Sequence, residues 1–187
     1  MVYHGTKRRV FFSFYKGDTA EVDQFINYWG NREGVFTPYV LGAGDNDDFI
    51  NSTNTEYVMS QIRARYIKDS TVTIVLLGSC THSRRYVDWE IKASLRQGND
   101  GLPNGLLGII LPSSGTSVHL PERFEMNWEK GEDNCYALFR SSPSSSYELG
   151  SWIDDAFDAR RTRADLIRNP QEMWSYNHTC EVHGITH

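Results

Sequence analysis

Residues 71–97 read T-V-T-I-V-L-L-G-S-C-T-H-S-R-R-Y-V-D-W-E-I-K-A-S-L-R-Q, and this stretch decides the fold. Residues 71–77 are an unbroken β-branched and aliphatic run that Gly78 ends, which predicts a short strand buried on both faces. Residues 79–83 are small and polar, and a helical period begins at Arg84. The stretch therefore predicts a central strand, a turn and a helix.

Glu90 lies at the edge of the apolar face of this predicted helix. At about 100° per residue, that face consists of Val87, Ile91, Ser94 and Leu95. Tyr86 precedes Glu90 by one turn on the same side. Open α/β sheets bind ligands beyond the carboxyl ends of their strands, so a carboxylate here is a candidate functional group. From the pattern alone, a solvated glutamate that pairs with a nearby cation is the commoner case.

Composition narrows the class of protein. The 187 residues suit one domain with a sizeable core. The net charge of -5 argues against nucleic acid as the main partner, because phosphate binding needs a concentrated basic surface. No apolar run approaches the roughly 20 residues of a membrane span, so we expect no membrane partner. Cys80, Cys135 and Cys180 are widely spaced without a C-x-x-C pair, which favours a reducing cytoplasm over a disulfide framework.

The rest of the chain repeats the alternation of strand and helix. Strands are predicted at 9–14, 34–36, 106–111 and 135–139, and helices at 20–29, 56–67 and 147–167. This order predicts an α/β fold with a doubly wound, mostly parallel sheet of four to five strands and right-handed crossovers. We expect one domain over residues 1–169, with an irregular insertion at 113–146, and a C-terminal tail at 170–187.

Two sequence boxes resemble Toll/interleukin-1-receptor (TIR) domains. Residues 8–18, R-R-V-F-F-S-F-Y-K-G-D, are similar to the first TIR box, and residues 83–90, S-R-R-Y-V-D-W-E, to the TIR helix with an aromatic residue four places before a Glu. The V-F-F-S-F start, the V-T-x-V-L-x-G-S strand and the R-R-x-V-x-x-E helix resemble the ThsB-like family of bacterial Thoeris anti-phage sensor subunits. The resemblance covers residues 8–112 and implies a flavodoxin-like TIR fold. The chain lacks the R-D-x-x-P-G loop of classical TIR domains.

The resemblance implies an activity. TIR enzymes cleave NAD between nicotinamide and ribose, through an oxocarbenium-like state that a nearby carboxylate stabilises. By the match, Glu90 is the catalytic residue, and its position at the edge of the core would allow a raised pKa. NAD is then a substrate, and no cofactor is expected.

Five further residues are candidates for substrate binding, each with a structural alternative. Tyr86 could wall the nicotinamide-ribose end or be a core tyrosine. Ser13, Phe14 and Tyr15 end the first strand, where N–H groups could meet phosphates and a ring could face a base, or where they could simply pack a tight turn. Ser79 could hydrogen-bond ribose or be an ordinary turn residue.

Trp89 is predicted on the polar face of the helix, where its neighbours are cations. These are Arg85, Lys92 and Arg96. An exposed tryptophan of this kind predicts a protein interface at Trp89 and Arg85. The alternative is a tryptophan covered by a loop or by the arginine side chains.

Two polar segments complete the candidates. The acidic loop 42–55 is long enough for a lid, although Asp45, Asp47 and Asp48 are more typical of solvated charge. In the tail, His178, Cys180, His183 and His187 have a spacing that could bind zinc, but no second ligand pair is evident. A frayed terminus is the favoured interpretation, so we predict no metal site.

We therefore expect an NAD-cleaving TIR-like enzyme of bacterial anti-phage defence. It would make an ADP-ribose-derived signal, cyclic by this resemblance, that activates a separate effector. The resemblance also implies a phage-derived activator, a homo-oligomer and a cytoplasmic location. The alternatives are a non-catalytic TIR scaffold that acts by assembly and a nucleoside deoxyribosyltransferase-like enzyme.

Overall fold

A five-stranded sheet forms the centre of the computed structural model. The structure describes residues 3–39, 57, 61–62, 64, 67–97, 101–132, 134–170 and 172–186. The predicted acidic loop at 42–55, with Asp45, Asp47 and Asp48, lies outside these residues. So does most of the predicted helix at 56–67, whose described residues are helical up to Ile67.

The strands are all parallel and follow the order β2-β1-β3-β4-β5. They are β1 (Arg9–Phe14), β2 (Thr37–Tyr39), β3 (Val72–Leu77), β4 (Gly105–Ile110) and β5 (Ala137–Arg140). This is the flavodoxin-like order, and the predicted doubly wound parallel sheet is confirmed. The chain runs from β1 to one edge and then from β3 to the other, so the switch point lies between β1 and β3.

Four described helices connect or cover the strands. They are α1 (Thr19–Phe25), which continues as a π-helical segment (Ile26–Arg32), α2 (Arg85–Ser94), α3 (Glu122–Glu125) and α4 (Ser146–Thr162). At the start of α4, the Ser145 hydroxyl accepts a hydrogen bond from the Glu148 N–H, which caps the helix. None of the helices in the described part of the chain has both the length and the apolarity that a membrane span requires.

The core has one layer on each face of the sheet. β3 is buried along its whole length: Val72, Ile74 and Leu76 face one layer, and Val75 and Leu77 face the other. The first layer also receives α4, whose backbone lies so close to Gly105 that a Cβ there would collide with the Ala156 carbonyl. The second layer receives the predicted apolar side chains of α2, namely Val87, Ile91 and Leu95.

Three sequence-based boundaries were wrong. The strand predicted at 34–36 lies at Thr37–Tyr39 and includes Pro38, which an edge strand tolerates. The strand predicted at 135–139, inside the segment 113–146, lies at Ala137–Arg140 as the edge strand β5, and the same segment also supplies the short helix α3. The last helix ends at Thr162, and a separate 3-10 turn (Ala164–Leu166) follows it.

Candidate active site

Glu90 and Ser13 form a hydrogen-bonded pair at the switch point of the sheet. In the sheet register, Ser13 lies opposite Val75, whose side chain packs in the layer that contains α2. Neighbours in register point to the same face, so Ser13 faces α2 as well. Its Oγ donates a hydrogen bond of 2.6 Å to Oε2 of Glu90. Ser13 is fully buried and Glu90 is half-buried, at the edge of the core as the helical period predicted.

The environment of Glu90 favours the neutral acid. Burial raises the pKa of Glu90 to about 8, and the Ser13 hydrogen bond offsets part of this rise by stabilising the carboxylate. At neutral pH the resting side chain is therefore mostly protonated. An acid held in this state ionises when a cationic ligand arrives, which is a property of a reactive site rather than of a surface charge.

Tyr86 lies one turn before Glu90 and is half-buried. Its ring packs edge-on against Trp89, with 5.5 Å between the ring centroids, and its hydroxyl accepts a hydrogen bond of 3.0 Å from the Arg85 guanidinium. Tyr86 thus packs against the small buried cluster that includes Phe11 and Ile67. Tyr86 therefore packs against the core, as the structural alternative described, and its contact with a substrate stays a prediction.

The two aromatic residues of the turn after β1 make different contacts. Phe14 is half-buried against the first core layer. The Tyr15 ring lies 4.2 Å from the guanidinium carbon of Arg84, as a cation–π pair. The Tyr15 carbonyl accepts a hydrogen bond of 2.8 Å from the Asp18 N–H, which closes the turn. The proposed contacts of Phe14 and Tyr15 with a substrate stay predictions.

Arg84 and Asp18 are additional candidates for the site, and sequence reasoning missed both. Arg84 is 5% exposed, and its Nε donates a hydrogen bond of 3.2 Å to the Cys80 carbonyl. Nη2 of Arg84 and Oδ2 of Asp18 are buried atoms with no hydrogen-bond partner among the residues that the structure describes. The Asp18 carboxyl fills the space beside Gly78, and its burial raises the pKa of Asp18. Buried polar atoms without a partner indicate a place where a polar ligand would supply the missing hydrogen bonds.

The sequence offered little signal for either residue. In the sequence, Asp18 is only the last residue of the first TIR-like box, and it stands at the start of α1 without a side-chain capping bond. Gly78, directly after the central strand, was the usable clue, because a glycine there leaves room for a neighbouring side chain.

Ser79 is half-buried at the end of β3, and its carbonyl accepts a contact of 3.5 Å from Sγ of Cys180. Its backbone therefore meets the C-terminal tail. A hydrogen bond from its side chain to ribose stays a prediction.

Trp89 is buried, so the expected exposed tryptophan was wrong. It is 5% exposed, and its Nε1 donates a hydrogen bond of 2.8 Å to the Trp174 carbonyl. The Arg85 guanidinium lies 5.4 Å from the Trp89 ring and donates a hydrogen bond of 3.1 Å to the Ser175 carbonyl. The tail covers this face of α2, as the alternative interpretation held, and the predicted interface at Trp89 and Arg85 loses the exposed ring on which it rested.

The tail packs along α2, so the expected frayed terminus was also wrong for residues 172–186. Asp88 of α2 forms a buried ion pair of 2.7 Å with Arg123 of α3. Asp88 also accepts a hydrogen bond of 3.2 Å from the Trp174 N–H, and Arg123 donates one of 2.6 Å to the Glu172 carbonyl. The Lys92 ammonium donates a hydrogen bond of 2.7 Å to the Pro170 carbonyl. These contacts hold the tail against the helix that contains Glu90.

A cavity of about 540 Å³ lies elsewhere in the molecule. Its lining includes Lys68, Ser70, Arg96, Asn104 and Arg160. Ser70 precedes β3 and Asn104 precedes β4, so this cavity lies at the amino ends of the strands. Glu90 lies toward the carboxyl ends of β1 and β3, where an α/β sheet places its chemistry, so we do not assign the active site to this cavity.

Comparison with known protein families shows to which family the chain belongs. The family described as "Thoeris protein ThsB, TIR-like domain" matches residues 11–116 of the chain. The chain belongs to this family. The matched range runs from β1 through β4, so both Ser13 and Glu90 of this ThsB-family protein lie inside it, while β5, α4 and the tail lie beyond it.

A curated relative of this ThsB-family chain comes from Bacillus cereus (strain MSX-D12). That protein is named "Putative cyclic ADP-D-ribose synthase ThsB1". It is 25% identical over 181 residues, which cover 79% of this chain and 93% of the relative.

Proposed function

We propose that this ThsB-family protein is an enzyme that cleaves NAD between nicotinamide and ribose and forms an ADP-ribose-derived, cyclic signal in bacterial anti-phage defence. The observation that supports this most directly is the Ser13–Glu90 hydrogen bond at the switch point of the sheet. The name of the B. cereus relative, "Putative cyclic ADP-D-ribose synthase ThsB1", supports a cyclic product.

Glu90 supplies the negative charge that this reaction needs. As the bond from ribose C1′ to the nicotinamide nitrogen breaks, its electron pair leaves with nicotinamide and positive charge develops at C1′. A carboxylate beside the ribose stabilises that charge. The nicotinamide ring of NAD is itself cationic, so its arrival favours the ionised form of Glu90 and expels the proton that the resting site holds.

Ser13 orients the carboxylate. Its Oγ–H donates to Oε2, which fixes the side chain in one position and leaves the second carboxylate oxygen for the ribose hydroxyls. The reaction then depends on an acid that is neutral at rest, because burial makes the charge costly, and charged when the substrate is bound.

The neighbouring residues supply the rest of the proposed site. Arg84, with its buried and unsatisfied Nη2, is suited to a phosphate oxygen of NAD. Tyr86 would wall the nicotinamide end, Ser79 would hydrogen-bond ribose, and Phe14 and Tyr15 would contact the opposite end of the substrate. In a cyclase, a nucleophilic atom of the ADP-ribose itself attacks C1′ in place of water, so these side chains must also exclude water.

The remaining steps follow from a diffusible product. The signal would act on a separate effector, a phage-derived activator would trigger its synthesis, and the enzyme would work in the cytoplasm as a homo-oligomer. A non-catalytic scaffold makes the opposite prediction, because its effect on phage would be independent of NAD cleavage.

Nucleotide mass spectrometry in infected cells tests the proposal. Cells that express the chain should lose NAD and accumulate nicotinamide and an ADP-ribose-derived nucleotide after phage addition. Glu90→Gln should lower this accumulation on the order of a thousandfold, because the amide has no charge to offer C1′. Glu125→Gln, a matched change at an exposed helix glutamate, should leave it unchanged.

Retention of full nucleotide production by the Glu90→Gln protein would contradict the assignment of Glu90. Protection against phage without any loss of NAD would favour the scaffold. Both variants must show the wild-type circular dichroism spectrum.

A further inference from the structure

We propose that Cys80, Cys180 and His183 bind one zinc ion, which fastens the C-terminal tail to the loop between β3 and α2. Their ligand atoms, two sulfurs and one ring nitrogen, all lie within 4.8 Å of one another. The tail spacing alone suggested His178, Cys180, His183 and His187. The fold replaces part of that set with a cysteine about 100 residues earlier in the chain, and His187 lies outside the described residues.

The distances define a compact triangle of donors. Sγ of Cys80 is 2.6 Å from Sγ of Cys180 and 3.0 Å from Nδ1 of His183, and the latter two atoms are 3.6 Å apart. In a tetrahedral zinc site with bonds of about 2.3 Å to sulfur and about 2.0 Å to nitrogen, donor atoms are roughly 3.3–3.8 Å apart. The edge between Cys180 and His183 therefore already fits this geometry, the edge between Cys80 and His183 is about 0.5 Å short, and the two sulfurs need to separate by about 1 Å.

The backbone of the tail presents both of its donors from one turn. The His183 and Gly184 N–H groups donate to the Cys180 carbonyl at 3.2 and 2.7 Å, and the Cys180 N–H donates to Ile185 at 2.9 Å. This closed turn places the two side chains on the same side. Cys80 is equally fixed, because its carbonyl accepts hydrogen bonds from Ser83 Oγ at 3.0 Å and from Arg84 Nε at 3.2 Å.

The charges and the burial suit zinc. Cys80 is 3% exposed and Cys180 is fully buried, whereas His183 is exposed. Two thiolates and one Zn²⁺ ion cancel in charge, so the bound cluster places no net charge in the core. Two sulfurs and one imidazole are ligands that suit Zn²⁺, whereas Mg²⁺ and Ca²⁺ prefer oxygen ligands. The exposed side of His183 leaves the fourth position to water.

A disulfide between Cys80 and Cys180 is the alternative use of the same sulfurs. It would involve only two of the three converging groups and would give His183 no function. The third donor at 3.0 Å from Cys80 is what favours a metal over a disulfide here.

The site would act on the helix of the proposed active site. Cys80 lies just before the 3-10 turn (Thr81–Ser83) that leads into α2, and the tail ahead of Cys180 covers Trp89 and Asp88. The His178 N–H also donates a hydrogen bond of 2.9 Å to the Ser83 carbonyl. Zinc would join the end of this tail to the start of α2, because one ion ties together segments that the chain keeps far apart.

Metal analysis of the full-length protein tests the site. After expression in zinc-supplemented medium and gel filtration, the wild-type protein should contain about one zinc ion per chain. Cys180→Ser and His183→Ala should lose it. Cys135→Ser, a matched change at a cysteine outside the triangle, should keep it.

Two further measurements keep the result clear if Cys180→Ser fails to fold. His183 is exposed, so His183→Ala removes a donor without disturbing the core, and His183→Cys should retain zinc through three thiolates. Cobalt substitution should give the visible absorption of a tetrahedral thiolate complex in the wild type, with a changed spectrum in His183→Cys. Removal of zinc by a chelator should lower the melting temperature of the wild type and leave that of His183→Ala unchanged.

Three outcomes would overturn the proposal. The wild-type protein could contain no zinc above the level of His183→Ala. Intact-mass measurement without reductant could show the loss of two hydrogen atoms that accompanies formation of a Cys80–Cys180 disulfide. All variants could bind zinc equally, which would indicate adventitious binding. None of these measurements depends on NAD cleavage.

Discussion

Glu90 and Asp88 are two acidic residues on the same helix, two positions apart, with opposite solutions to burial. Residues two apart on an α-helix point in nearly opposite directions, so Glu90 faces β1 and Asp88 faces α3 and the tail. Asp88 is 3% exposed and has a buried cation, Arg123, at 2.7 Å together with a backbone N–H donor. Among the residues that the structure describes, Glu90 has the Ser13 hydroxyl as its one hydrogen-bond partner, and its pKa is raised to about 8.

The difference separates a structural carboxylate from the one proposed to be reactive. A carboxylate with a complete set of partners holds elements together and gains nothing from a ligand. An acid that is buried with a single hydroxyl donor raises the free energy of its charged form, and a cationic substrate relieves that cost. The sequence alone does not distinguish the two carboxylates, since Asp88 and Glu90 are the first and last residues of one tripeptide, D-W-E, on the same helix.

The largest expected effect on stability is at the ion pair. Asp88→Asn should destabilise the protein by about 3–5 kcal/mol, because it leaves Arg123 buried without its counter-charge. Urea unfolding measures this change. Arg123→Met should cost a similar amount, and the double variant should cost clearly less than the sum of the two. Additive losses would show that the pair is not coupled, and the contrast with Glu90 would fail.

Glu90→Gln should have the opposite effect on stability, and only at high pH. The pKa of Glu90 is about 8 in the folded protein and about 4.5 when unfolded, so the folded state holds the extra proton between these values. Wild-type stability from this group is complete below pH 4.5 and is lost as the pH rises through 8. Relative to wild type, Glu90→Gln should gain on the order of 2–4 kcal/mol at pH 9 and nothing at pH 4.

Urea unfolding at both pH values measures the difference. Glu125→Gln serves as the control at an exposed glutamate, and it should follow the wild-type dependence on pH. A Glu90→Gln protein without any gain at pH 9 would mean that Glu90 is solvated, in the same way as a surface charge.

The smallest expected effect is at Ser13. Ser13→Ala removes the hydrogen bond that lowers the pKa of Glu90, so the pKa should rise further, by roughly one unit. If the carboxylate is the active form, nicotinamide release rises with pH through this pKa, and Ser13→Ala should shift that profile in the alkaline direction.

The pH dependence of nicotinamide release by the activated enzyme measures the shift. Ser117→Ala, at an exposed serine, should leave the profile in place. An unchanged profile in Ser13→Ala would show that the hydroxyl does not act on Glu90.

The elements that sequence patterns predicted well are those whose signal is local. The buried run of β3, the apolar face of α2 and the alternation of strands with helices follow from period and composition within short windows, and the sheet has the predicted class. The short edge strands begin two or three residues after their predicted starts, because β2 has only three residues and β5 only four. Edge strands of this length have almost no periodic signal of their own.

Glu90 could be selected as a candidate for the same local reason. Its position on the helical wheel and the aromatic residue before it both lie within eight consecutive residues. Trp89 was misplaced because its cover, the Trp174 carbonyl, comes from a segment 85 residues away in sequence. A helical wheel identifies the sheet-facing side and has no information about what covers the other side.

The amino-acid order alone thus determined the class of fold, the position of Glu90 at the edge of the apolar face of its helix, and the family resemblance, since each depends on spacing within a few turns or strands. Tertiary structure alone decided that Ser13 reaches Glu90, that Arg123 neutralises Asp88 and that Cys80 meets Cys180 and His183. These contacts join residues 35 to 103 positions apart. Hydrophobic periodicity is a short-range property of the chain, whereas the partner of a buried polar group is set by which surfaces the folded core brings together.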